Sequence, residues 1–380
     1  MGKTLIVGAG LSGATIARLF ADGGEEVIVI DKRDTIGGNV YDYVDKNGIT
    51  VQPYGAHVFH TDDREVFEFL SRFTDWENYE HRVKALVKGK LIPVPFNLTS
   101  LEILYPKEKA ESIKKFLIDE FGMETTVPIL CLKEHDSAEV RRFAEFVYQN
   151  VFYQYTKKRW GIKPEELGEA VINRVPIVLS YDDKYFSDKY QYMPKDGYTE
   201  TVANILRHPN IKLKLGKDAK KIISLQDGEI YLNGKKFHGN LIYTGCVDEL
   251  FDYKFGVLPY RSLKFKYLTK RCESYQDATV VNYTMSGKQT RVTEFKKFTN
   301  ESSKKTVVAV EYTVPFKKSR IPYYPIPTAQ NTAHYCQYLE ESLKYKNLYL
   351  LGRLANYKYI EMDVAVRNAM TLYEKIKEEE

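Results

Sequence analysis

Three glycines and a carboxylate near the N-terminus have the types and spacing to hold a pyrophosphate. They stand in Gly8-Ala9-Gly10-Leu11-Ser12-Gly13 and at Asp31. Gly8 allows a tight turn, Gly10 lets the backbone approach the phosphates, and Gly13 lets a helix lie close to the preceding strand. The N–H groups at Leu11 and Ser12 open that helix and aim its positive dipole end at an anion. Asp31 can accept hydrogen bonds from ribose hydroxyls.

These residues need a strand, a turn, a helix and a second strand to place them, and the pattern supplies each. Leu5-Ile6-Val7 is an apolar run that stops at Gly8, and Ala14, Ala17, Leu19 and Phe20 follow at helical spacing. Val27-Ile28-Val29-Ile30 is a β-branched run ending in Asp31. The continuation Lys32-Arg33-Asp34-Thr35-Ile36-Gly37-Gly38-Asn39 resembles the flavoprotein pattern, with a second glycine pair beside the FAD pyrophosphate. Lys32, Gly38 and Asn39 therefore join the expected cofactor contacts, and FAD is favoured over NAD.

Composition narrows the remaining classes. A chain of 380 residues, 43% hydrophobic and 28% charged, has room for two or three well-buried domains. The net charge of +5, spread along the chain, is too weak for a nucleic-acid binder and suits an anionic small substrate. Cys131, Cys246, Cys272 and Cys336 are widely spaced, which reads as reduced thiols in a cytoplasmic protein, with no disulfide framework and no metal site expected. No run is long enough to insert into a membrane, and the glycine-interrupted N-terminus is no signal peptide. The 30 tyrosines suit half-buried strands and sugar or nucleotide pockets alike.

The expected fold is α/β, a Rossmann-like FAD-binding domain interrupted by insertions. It would comprise 1–80, 194–250 and 331–380, including strands at Asn240–Gly245 and Asn347–Arg353 and a last helix from Met362 to about Lys377. A small helical domain spans 98–165, with one stripe at Ile113, Phe116, Leu117 and Phe121 and another at Val140, Phe143, Ala144, Val147 and Val151. An antiparallel β-sheet domain takes 81–97, 166–193 and 251–330, with a mobile lid near 166–180. Its strands are expected at Arg261–Tyr267, Ala278–Tyr283, Arg291–Phe298 and Thr306–Tyr312.

Several segments then match one family closely. They are Tyr54-Gly55-Ala56-His57-Val58-Phe59-His60-Thr61, Tyr155-Thr156-Lys157-Lys158-Arg159-Trp160-Gly161, Asn173-Arg174-Val175-Pro176 and Tyr185-Phe186-Ser187-Asp188, followed by Tyr260-Arg261-Ser262-Leu263, Tyr323-Tyr324-Pro325, and Gly352-Arg353-Leu354 through Met362-Asp363. The chain resembles the bacterial UDP-galactopyranose mutases over almost its whole length. The resemblance implies a non-redox ring contraction between UDP-galactopyranose and UDP-galactofuranose. FAD would be active when reduced, its N5 forming a sugar adduct as UDP leaves. It also implies a homodimer, an external reductant such as NAD(P)H, and a place in galactofuranose supply for a cell-surface polysaccharide.

By the same resemblance, Arg174 and Arg291 clamp the pyrophosphate, where arginine's fixed charge and forked donors suit a departing UDP. Arg174 would belong to the lid that keeps water out. Tyr155 would stack on uracil with Phe152 close by, and Trp160 would shape the sugar side. Tyr185, Tyr323 and Tyr359 would donate to the diphosphate, with Asn282 and Arg261 lining the same cleft. His60 would face the flavin and relay protons. His57, Gly245, Gly352, Arg353, Met362, Asp363 and Val364 would contact FAD.

Two positions depart from the family pattern. Glu361 stands where Asp is usual, reaching one methylene further towards the sugar. Pro93 replaces a common Asn near the active site. Mutases acting on UDP-N-acetylgalactosamine or a deoxy sugar therefore stay open. So do an amine-oxidase-type flavin oxidoreductase, which would want an apolar substrate cage, and a nucleotide-sugar sensor without turnover.

Overall fold

Thr4–Val7 and Val27–Ile30 are short apolar runs that pair in parallel, and three more strands extend them into one sheet. The order is Ile211–Lys214, Val27–Ile30, Thr4–Val7, Leu241–Tyr243, Leu348–Leu350, all parallel. The computed structural model describes residues 4–167, 176–299 and 301–379.

Alternate residues of these strands enter two different cores, as a doubly covered sheet requires. Ile6, Val27, Val29 and Ile242 pack with Ala14, Ile16, Ala17 and Phe20 of the Leu11–Asp22 helix. The last helix, Met362–Glu379, lies on the same face, where Tyr373 meets Phe20 edge-on at 5.1 Å. Leu5, Ile30, Leu241 and Tyr243 face the other way, onto Tyr338 of the Ala329–Ser342 helix and its neighbours. From Thr4–Val7 the strands are added first on one side, Val27–Ile30 and Ile211–Lys214, and then on the other, Leu241–Tyr243 and Leu348–Leu350, so a crevice opens at the C-terminal strand ends between Thr4–Val7 and Leu241–Tyr243.

A second sheet of seven strands runs Tyr324–Pro325, Tyr260–Lys270, Thr306–Pro315, Arg291–Glu294, Val280–Tyr283, Val83–Val87, Lys90–Val94. It is mixed rather than antiparallel, because Val280–Tyr283 pairs in parallel with Val83–Val87. The strand expected over Arg291–Phe298 stops at Glu294. A helical turn, Lys296–Thr299, follows, and it lets Phe295 and Phe298 both bury on one side at helical spacing. Pro93 sits in the edge strand Lys90–Val94, where a missing N–H breaks no ladder. Its carbonyl accepts from Ser100 Oγ at 2.8 Å, and the residue is not among those that line the cleft, although its neighbour Val94 pairs with Val83, which is.

The helices Lys107–Phe121 and Ala138–Val147 and the segment Tyr148–Tyr153 share a core with Ala85, Val87 and Ile92 of that sheet. Val140, Phe143, Ala144, Val147 and Val151 are all buried there, as are Ile113 and Leu117. Phe116 is not: it is 38% exposed and meets only the edge of His135. Between Ala138–Val147 and Gln154–Trp160 the helix widens into a π-helical segment, Tyr148–Tyr153. Of the expected lid, residues 168–175 lie outside the described residues. Pro176–Val178 is a strand between Thr126–Pro128 and Phe96–Asn97.

Candidate active site

The glycines converge where the strands end. Thr244 ties Leu241–Tyr243 to the first strand, its Oγ1 donating to the Val7 carbonyl at 2.7 Å. A Cβ on Gly8 would collide with that hydroxyl, and one on Gly13 with the Gly8 carbonyl. The Gly37 N–H donates to the Ala9 carbonyl at 2.9 Å, which brings the second glycine pair onto the first loop. A Cβ on Gly38 would lie 2.9 Å from the Gly10 Cα. Further round, a Cβ on Gly352 would come within 3.2 Å of Ser12 Oγ, and one on Gly245 within 2.7 Å of the Tyr243 hydroxyl.

The Leu11–Asp22 helix begins at this bare backbone with no side-chain cap and no acidic residue in its first turn. An uncapped N-terminus with side-chain-free backbone before it fits the pyrophosphate of FAD. Asp31 organises the loop: Oδ2 accepts the Ala9 N–H and Oδ1 the Arg33 N–H, each at 2.8 Å. Each oxygen keeps a lone pair for a ribose hydroxyl. Asn39 accepts from Arg33 Nη2 at 3.0 Å. Lys32 points outward, with its ammonium 3.6 Å from Glu249.

A cleft of about 1010 Å³, open to solvent, continues from this end to the seven-stranded sheet. Strand register builds its wall: Phe265 faces Glu311, Glu311 faces Arg291, and Arg291 faces Asn282 on successive strands. Side chains in one such row share a face. Arg291 Nε donates to Glu311 Oε2 at 2.7 Å, with Glu311 buried and Arg291 only 15% exposed. Burial opposes the charge on Arg291, but the Glu311 carboxylate together with Tyr324 and Tyr155 outweighs it, so the guanidinium stays charged. Opposite stands the Gln154–Trp160 helix, whose Tyr155 hydroxyl donates to Asn282 Oδ1 at 3.2 Å. Arg353 closes the cofactor side, its Nη2 donating to the Ile360 carbonyl at 2.6 Å.

Three histidines line the cleft with different charges. His57 is held near pKa 4 by burial and by the Arg353 and Arg291 charges. Its Nδ1 bonds the Gly55 carbonyl at 2.8 Å, which sets the neutral tautomer with Nε2 as acceptor. Burial, Arg291 and His60 together take His81 down to about 3. His60 shifts the other way. Burial lowers it, but Glu361 Oε2 at 2.9 Å from Nε2 and Asp188 Oδ2 at 3.2 Å from Nδ1 raise it above 6.5. The contact to Asp188 is electrostatic, since Nδ1 makes no hydrogen bond of acceptable geometry. Phe186 stacks on the imidazole at 3.6 Å.

The UDP-galactopyranose mutase family model matches residues 150–359, and that of an NAD(P)-binding Rossmann-like domain matches residues 6–73. The dTDP-fucopyranose mutase of Escherichia coli is 37% identical over 375 residues, covering 97% of each chain. The chain belongs to the UDP-galactopyranose mutase family. The UDP-galactopyranose mutase of Mycoplasma genitalium is 37% identical over 372 residues, 95% of this chain and 91% of that one. A reduced UDP-galactopyranose mutase has the same fold, with a TM-score of 0.74 over 100% of this chain and 94% of the other; at 16% identity that likeness concerns the fold alone. As a member of this mutase family the chain is a flavin-dependent pyranose–furanose isomerase, and FAD is its cofactor. No helix among the described residues is long and apolar enough to cross a membrane.

Set on this mutase scaffold, the sequence-derived site residues divide. His60, Tyr155, Tyr185, Asn282, Arg291, Tyr323, Tyr359 and Glu361 line the cleft, as do Asn39, His57, Arg353 and Met362 on the cofactor side. Phe152, Trp160 and Arg261 lie behind the lining. Phe152 belongs to the helical core, and Trp160 packs on Tyr324 and Tyr359. Arg261 lies against Gly161, where a Cβ would come within 2.5 Å of its Nη1. Asp363 turns back to Thr61 Oγ1 at 3.1 Å and to the Val364 N–H at 2.7 Å, and the Val364 side chain is exposed. Arg174 lies outside the described residues.

Sequence reasoning assigned no role to Arg159, Tyr324, His81 or Phe186, which also line the cleft. Arg159 follows Tyr155 by one helical turn, so it faces the same way, and that spacing was a usable signal. Tyr324 and Phe186 are neighbours of residues already singled out, on strands or loops that turn both inward. Nothing local marks His81.

Proposed function

We propose that this mutase interconverts UDP-galactopyranose and UDP-galactofuranose. The observation that carries this is the cleft itself: buried arginines and tyrosines, the chemistry of a diphosphate, run directly into the FAD cradle. Among the described residues that line the cleft, none form an apolar cage of the kind an amine oxidase needs.

Arg291, fixed by Glu311, binds the diphosphate and stabilises the charge that builds as the nucleotide departs. By the family resemblance, Arg174 shares that role. Tyr155 stacks on the base, while Tyr185, Tyr323 and Tyr359 donate hydroxyls to the phosphates. Burial pushes the Tyr185 phenol up to about 12, so it remains a donor at neutral pH. The Gly8–Gly13 loop, Asp31 and Gly38 would hold FAD, which when bound and reduced would supply an electron pair to the anomeric carbon. His60, its pKa raised by Glu361 and Asp188, can hold or release a proton as the sugar's ring hydroxyl changes. His57 remains neutral and accepts through Nε2 on the cofactor side.

The isomerisation leaves no net oxidation, so flavin oxidised by air must be restored by an external donor such as NAD(P)H. The widely spaced free cysteines support work in the reducing cytoplasm. A homodimer accords with the bacterial mutases that the sequence resembles.

A second reading has its own support. The dTDP-fucopyranose mutase relative is as similar as the UDP-galactopyranose mutase one, and Glu361 engages His60 where a shorter carboxylate is usual. A deoxy sugar on dTDP is therefore the competing substrate. Turnover of UDP-galactofuranose and dTDP-fucofuranose, each with and without dithionite, separates the two. Conversion of the first only when reduced supports the main reading; conversion of the second alone moves the substrate to the deoxy sugar; neither overturns both.

A further inference from the structure

Arg159 is a largely enclosed cation with no counter-ion of its own among the described residues. Its side chain is enclosed by protein atoms except where it meets the cleft. Nη2 donates to the Tyr359 hydroxyl at 3.3 Å, and the guanidinium carbon lies 5.2 Å from the centre of the Tyr324 ring and 5.9 Å from that of Tyr359. Among the described residues no Asp or Glu comes within 4.0 Å of it. The nearby carboxylates are already engaged, Glu311 by Arg291 and Glu361 and Asp188 by His60. Arg159 and Arg291 are also close enough that Arg159 disfavours the charge on Arg291.

A desolvated positive charge facing an open cleft is costly until an anion arrives. Two aromatic faces hold the guanidinium in place meanwhile, by attraction between cation and ring. Its position identifies the anion. Arg159 shares one helix face with Tyr155, which reaches Asn282, and Asn282 pairs with Arg291 across the sheet. Arg353 touches the same tyrosine pair, 5.7 Å from Tyr324 and 4.9 Å from Tyr359, but stands on the cofactor side with His57 and Met362. We propose that Arg159 is a further binding residue for the substrate diphosphate, adding a forked cation beside Arg291 and holding the Tyr359 hydroxyl towards the same group. This rests on the nucleotide-sugar reading given above. A diphosphate diester brings two negative charges and gains a third as the sugar leaves, so such a cation assists departure as well as binding.

The test uses FAD-loaded Arg159→Gln and Arg159→Lys, with UDP and uridine as probes and the flavin absorbance as signal. Arg159→Gln should weaken UDP by about tenfold or more while leaving uridine within about threefold, with the UDP loss shrinking as salt rises. Arg159→Lys should recover part of the loss. UDP affinity within about twofold of wild type in Arg159→Gln, with full flavin content, overturns the proposal, and so does an equal loss for UDP and uridine. Tyr359→Phe excludes a purely supporting role: if it reproduced the whole loss and Arg159→Gln added nothing to it, Arg159 would only prop the tyrosine. Wild-type protein that binds neither UDP nor dTDP rejects the nucleotide-sugar reading and this proposal with it. Normal wild-type binding with an unaffected Arg159→Gln rejects this proposal alone.

Discussion

Arg291 and Glu311 face each other on neighbouring strands, Nε to Oε2 at 2.7 Å, and each is the other's buried partner. Glu311 also accepts from Thr290 Oγ1 at 2.9 Å, so the carboxylate is held from two directions. The pair gives the cleft a cation whose direction is set by the sheet rather than by a flexible loop.

Removing either member leaves an unpaired buried charge, which costs about 3–5 kcal/mol. Arg291→Ala and Glu311→Ala should each destabilise by that order in urea unfolding, and the double variant by clearly less than their sum. Arg291→Ala should also abolish turnover while flavin content stays at the wild-type level. Near-normal rates in that variant would refute the clamp.

Gly38 has φ +57° and room for no side chain against Gly10. An alanine there pays a left-handed penalty of about 1–2 kcal/mol and fills the pyrophosphate cradle. Gly38→Ala should fold, by circular dichroism, but purify with much less flavin, its FAD affinity down by roughly tenfold or more. Full yellow protein would argue against the cradle.

Stability should respond to pH in two opposing ways. His57 and His81 have folded values of about 4 and about 3, below their ordinary 6.5. Their contribution is complete above 6.5 and is lost as pH falls from there towards those values, because the unfolded chain takes up protons first. The thermal unfolding midpoint should therefore fall on acidification, and His81→Asn should flatten the slope. An unchanged slope in His81→Asn would contradict the buried neutral histidine.

His60 works with the opposite sign. Its folded value is raised, so its contribution is complete below 6.5 and disappears as pH rises through the folded value. Shortening its partner by one methylene, Glu361→Asp, should break the 2.9 Å contact and bring the His60 titration back towards 6.5. Imidazole proton shifts followed by NMR against pH would show this. A titration that stays put would mean Asp188 alone holds the charge.

The amino-acid sequence by itself determined the cofactor half. Gly8, Gly10, Gly13, Gly37 and Gly38 lie in two short runs, and the sterics that require glycine act over a few residues. Strand, turn and helix could therefore be read in order, and so could the helical stripe Val140-Phe143-Ala144-Val147-Val151. Family motifs carried many of the cleft residues by likeness.

Tertiary structure decided the rest. Arg291 meets Glu311 only because two strands pair in one register, and a slip of one residue would turn both to the other face. The parallel junction of Val280–Tyr283 with Val83–Val87 joins segments nearly two hundred residues apart, which no local period encodes. The same holds for His60 between Glu361 and Asp188. Phe152, Trp160 and Arg261 stand behind the lining for the corresponding reason: sequence marks a residue as near the site, but packing chooses which side chain reaches the cleft and which supports it. Arg159 reaches it because its helix presents that face to the tyrosines contributed by the far end of the chain.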